Sequence, residues 1–60
     1  MGVIHLKKRI GKFYESINDE ELVFVIYEDV DDYVHFYYLN QPHERDKMCS
    51  CHFLKEYKRF

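Results

Sequence analysis

Two runs of strand-forming residues, Leu22-Val23-Phe24-Val25-Ile26-Tyr27 and Tyr33-Val34-His35-Phe36-Tyr37-Tyr38-Leu39, stand on either side of the acidic segment Glu28-Asp29-Val30-Asp31-Asp32. β-branched and aromatic side chains favour the pleated backbone, and Asp satisfies tight turns through its own carboxylate, so this pattern predicts a β-hairpin. In the second run, Val34, Phe36 and Tyr38 share one face, while Tyr33, His35, Tyr37 and Leu39 share the other. The first run is apolar throughout and has no such phase. Phe24, Ile26, Val34, Phe36 and Phe53 are the expected core. Asn40 to Asp46 reads as a polar loop, with Pro42 ending any strand.

The flanking segments are ambiguous. Val3, Leu6, Ile10, Phe13 and Ile17 recur at helical spacing, but Gly11 in their midst disfavours a helix by about 1 kcal/mol. The favoured reading makes Gly11 a turn before a strand Lys12-Phe13-Tyr14-Glu15. Near the other end, a short strand from Lys47 to Phe53 would point Cys49, Cys51 and Phe53 inward. A helical turn Leu54-Lys55-Glu56-Tyr57 would follow, anchored by Leu54 and Tyr57.

Sixty residues make one domain, residues 1–60. A chain this short buries only about 60% of the surface that its unfolded form exposes. Its five Phe and six Tyr supply the compensating apolar area, and 47% hydrophobic residues argue against disorder. Val3-Ile4-His5-Leu6 is too short for a secretory core, and no run approaches a membrane span, so a cytoplasmic protein with reduced cysteines is expected.

Three short motifs, Gly11-Lys12-Phe13-Tyr14, the acidic-tipped hairpin Leu22 to Leu39, and Phe53-Leu54-Lys55-Glu56-Tyr57, resemble the small SH3-like barrels of phage and other mobile-element proteins. The fold expected is therefore mainly β: a small SH3-like barrel, or a strongly bent antiparallel sheet, with a short C-terminal helical turn. The alternative is an α+β chain with an N-terminal amphipathic helix. For function, the resemblance implies a small accessory protein acting in the host cytoplasm.

All nine Lys and Arg residues lie outside Phe13 to Glu44, a stretch that holds nine of the eleven acids. If the first and last strands meet, as in such a barrel, Lys7, Lys8, Arg9, Lys55, Lys58 and Arg59 gather at one pole. Glu28, Asp29, Asp31 and Asp32 then project elsewhere on the hairpin tip. The acids lack the ligand order of an EF-hand loop, so a solvated turn or a recognition surface is the choice they offer. The basic ends, with Lys12 beside them, are suited to tracking phosphates, although a net charge of −2 argues against a nucleic-acid domain.

His43, Cys49, Cys51 and His52 carry the ligand types of a zinc site, but Cys-x-Cys lacks knuckle spacing and His52 would face away on a strand. Core packing is the preferred role for the cysteines, and no metal or other cofactor is expected. The same opposed geometry disfavours a Cys–His nucleophile, and sixty residues leave little room for a deep cleft, so the chain is not expected to be an enzyme. The leading reading is a monomeric or homodimeric protein that binds and inhibits a host protein with a basic surface, without membrane contact. Tyr33, His35 and Tyr37 would supply contact area, and Glu28, Asp29, Asp31 and Asp32 would steer. The alternative is a nucleic-acid-binding regulator using the basic segments.

Overall fold

A computed structural model describes residues 6–60, in which strands and one helix follow in the order β1(Leu6–Ser16), β2(Leu22–Asp29), β3(Tyr33–Tyr38), β4(Gln41–Cys49), α1(Ser50–Glu56) and β5(Tyr57–Arg59). The strands form one antiparallel sheet in the order β4-β3-β2-β1-β5. The class is mainly β with a short helix near the C-terminal end, as the sequence suggests, but the sheet is open and no barrel closes. Its two outer strands, β4 and β5, do not pair; α1 links them in sequence.

The hairpin forms as expected, with β3 in the anticipated phase: Val34 and Phe36 are buried. In β2 the phase is the reverse of the expected one. Val23 and Val25 are fully buried, whereas Phe24 and Ile26 are only partly covered. Cross-strand neighbours share a face, and the pairs Val25↔Phe36 and Val23↔Tyr38 commit the valines to the inner side. Phe36 is the centre of the core. Its ring centroid lies 5.3 Å from Phe53, 5.8 Å from Tyr57 and 5.6 Å from Tyr38.

Residues 6–16 are strand, which excludes the N-terminal helix over that stretch; Val3 lies outside the described residues. Gly11 is no turn. It sits inside β1 at φ 59°, where the register shifts between Arg9 and Lys12, so it makes a bulge of the kind that only glycine enters without strain. The segment expected as a polar loop is instead the edge strand β4. Pro42 is tolerated there because an edge strand has one side without ladder bonds.

The helix begins at Ser50, before Leu54, and is fastened at both ends. Ser50 N–H donates to the Asp32 carbonyl at 2.8 Å, and the Glu56 carbonyl accepts from Ile17 N–H at 2.9 Å. The switch to helix turns Phe53 into the core and leaves Cys49 and Cys51 exposed, contrary to the strand reading; Leu54, expected as an anchor of the helical turn, is exposed as well. Tyr57 does anchor the segment, at 8% exposure, stacked on Phe53 with centroids 4.6 Å apart.

Candidate interaction surface

The core residues and α1 occupy one side of the sheet. The other side carries a field of rings. Phe13 on β1, Phe24 on β2 and Tyr37 on β3 run across it, with centroids 5.1 and 5.5 Å apart. Towards the hairpin tip, Tyr27 stacks on His35 at 4.3 Å and 11° between planes. Tyr33 continues the field, with Lys47 Nζ 4.9 Å from its ring centre. Phe13 remains 47% exposed and Tyr33 37%, and none of the described elements covers this face. Arg45 on β4 lies opposite Tyr37 and Arg9 on β1 opposite Tyr27, so cations flank the rings on both sides.

His35 is fixed in this field by Asp29. The Nε2 of His35 lies 2.7 Å from Asp29 Oδ2, while Oδ1 accepts the backbone N–H groups of Asp31 at 2.9 Å and Tyr33 at 3.0 Å. The His35 hydrogen bond, followed by the Tyr33 N–H, holds the Asp29 carboxyl below its ordinary value. Asp29 is thus an internal fastener of the turn, aided by the positive φ of 67° at Asp32. Of the four tip acids, Asp31 and Asp32 are exposed; Glu28 lies on the core side, in register with Lys8 and Val34. Tyr33, His35 and Tyr37 share the outer face, as the alternation in β3 indicates.

The basic residues do not form one pole set apart from the tip. β1 runs back along the hairpin, so in the backbone register Lys8 stands across from Glu28 and Arg9 from Tyr27, whereas Lys58 stands across from Glu15. Lys55 sits on α1, and the Lys7 side chain lies outside the described residues. A separate cleft of about 270 Å³ does gather Lys8, Arg9, Lys12 and Arg59 with Ile10 and Tyr14. Composition showed these cations, but their meeting depends on where β5 ends.

Among the described residues, no three His, Cys, Asp or Glu side chains converge as a metal site. His43 is on β4 and His52 on α1, where its Nε2 lies 4.0 Å from Glu56 Oε2; Cys49 and Cys51 are free thiols at the strand–helix junction. None of the described helices is long and apolar enough to cross a membrane.

The outer position of Phe24 is not legible in the sequence, because β2 offers no alternation from which to read its phase. Comparison with known proteins finds no matching family model, no matching curated protein and no matching solved structure.

Proposed function

We propose that this protein is a non-catalytic binding module that recognises and modulates another protein through the outer face of its sheet. The observation that carries this reading is the uncovered ring field of Phe13, Phe24, Tyr37, Tyr27, His35 and Tyr33. Aromatic rings on a rigid, hydrogen-bonded surface supply large contact area at little entropic cost, and such rings dominate binding energy when a partner excludes water from them. The exposed Asp31 and Asp32 at the tip end favour a partner with basic groups on that side. A host protein as the target is supported by the sequence resemblance alone.

Affinity capture with the tagged protein, in the presence of nuclease, tests this reading. A partner held by the wild type should be lost with Phe13→Asp and with Tyr37→Ala, both still melting cooperatively. Undiminished capture by both variants would refute the assignment. Release of the partner by nuclease would move the function to nucleic acid.

A further inference from the structure

The two sides of β1 differ sharply. Towards β2 it is paired along its length, but towards β5 the pairing covers only Tyr14, Glu15 and Ser16. The last bond on that side runs from Phe60 N–H to the Phe13 carbonyl at 3.0 Å. From Lys12 back to Leu6, none of the described strands pairs with the outer edge of β1. At about 3.3 Å per residue, those positions offer roughly 20 Å of open backbone.

Two concavities adjoin this edge and share Lys8, Ile10 and Tyr14 in their walls. The one under the sheet holds about 160 Å³ between β1 and α1 and is lined by Val25, Val34, Phe53 and Leu54, with Glu28 and Ser50 at its polar margin. The other is the basic cleft. Among the described residues, Lys8, Arg9, Lys12 and Arg59 have no carboxylate partner. Edge lysines commonly guard a sheet against unwanted pairing. Guarding does not explain an apolar cavity open along the same edge, and the Gly11 bulge leaves the ladder irregular without covering it.

We propose that the open edge of β1 receives an extended acidic peptide segment as a sixth strand, with an apolar side chain on its core-side face entering the cavity beside Ile10 and Tyr14. The backbone of the segment satisfies the unpaired groups of residues 6–12, which is the mode of β-strand addition. Acidic side chains two residues to either side of the apolar one, on that same face, meet Lys8, Lys12 and Arg59, which the register places on the core side with Glu28, Val25 and Tyr14. A second copy docking through this same edge would set cations against cations, so the occupant is a different chain. A phosphate backbone offers charge but no ladder of alternating donors and acceptors, and the chain's net charge of −2 further disfavours a polyanion. This surface lies at the edge of the sheet and does not depend on the ring field.

The probe is a short fluorescein-labelled peptide with Glu, Val and Glu at successive alternate positions and Thr between them, followed by fluorescence anisotropy and amide exchange. Binding should weaken about tenfold or more in the Lys8→Glu/Lys12→Glu variant. It should weaken comparably when alternate peptide nitrogens are methylated, a control that needs no variant to fold. Amides at the open edge should exchange more slowly in the complex. Tyr37→Ala, an uncharged change two strands away on the outer face, should leave binding unchanged, which separates this edge from the ring field. Absence of binding, or binding indifferent to N-methylation, overturns the proposal. Tighter binding of single-stranded oligo-dT, lost on the same charge reversal, replaces it with a phosphate site.

Discussion

The carboxylate of Asp29 and the imidazole of His35, 2.7 Å apart across the hairpin, tie the turn of the chain to its ring field. Because Asp29 titrates below its ordinary value near 3.8, the folded state holds fewer protons there than the unfolded one. The stability this provides is present above that value and is lost as pH falls through the lower, folded pKa. Melting temperature should therefore fall on acidification from about pH 5 to about pH 3, and Asp29→Asn should flatten that slope. An unchanged slope in the variant would remove Asp29 from the turn's energetics.

Phe36 has no exposed surface, whereas Phe24 lies on the outer side against Phe13 and Tyr37. Phe36→Ala should cost about 3–5 kcal/mol, enough to abolish cooperative unfolding in so small a domain. Phe24→Ala should cost clearly less. Urea melts of the two variants check the ranking, and equal losses would contradict the assigned faces.

Gly11 stands at φ 59°, and an added Cβ would fit, meeting Phe24 Cζ in ordinary van der Waals contact at 4.0 Å. Any loss from Gly11→Ala is therefore a backbone effect, about 1–2 kcal/mol. Gly11→Asn, which tolerates the left-handed region better, should recover part of it. Thermal melts of both proteins provide the comparison.

Cys49 and Cys51 are both exposed, so each should react with a disulfide reagent in the folded protein at the rate of a free thiol. Two equivalents consumed without denaturant is the expected titre. A cysteine that reacts only after unfolding would return it to the interior.

Burial raises the Tyr57 phenol, and its neighbour Tyr38 adds to the effect. A raised acid contributes stability that is intact below its ordinary value of 10.0 and is lost as pH rises towards the folded pKa. Melting temperature should decline above about pH 10, and less steeply in Tyr57→Phe. Ultraviolet titration of the tyrosines should show one ionising late, with unfolding.

The hairpin and the phase of β3 are legible because polar His35 and the acidic turn break the apolar run. β2 has no polar residue between Leu22 and Tyr27, so its inner face is set only by register with β3. β4 was hidden because an exposed edge strand needs no apolar face: Gln41 to Lys47 are all exposed and read as a loop. The cysteines were misplaced for a related reason. At Ser50 the period changes from two to that of a helix, and Phe53 satisfies either period. The outer-face residues of β3 could be picked out from alternation alone; the basic cleft could not, since it depends on how far β5 extends along β1.

The strand order also bears on how the chain assembles. β1, β2 and β3 each pair with the next strand in sequence, so the β1–β4 meander can zip up through short loops, with small closure entropy at each step. Among the described strands, only the pairing of Tyr14 with Arg59, and its neighbours in β5, spans most of the chain. Docking of α1 and β5 is thus the natural late event in folding and the natural first event in opening. Amides of Tyr57 to Phe60 should then exchange by local opening well before those of β2, and the edge of β1 would lengthen each time β5 lifts away.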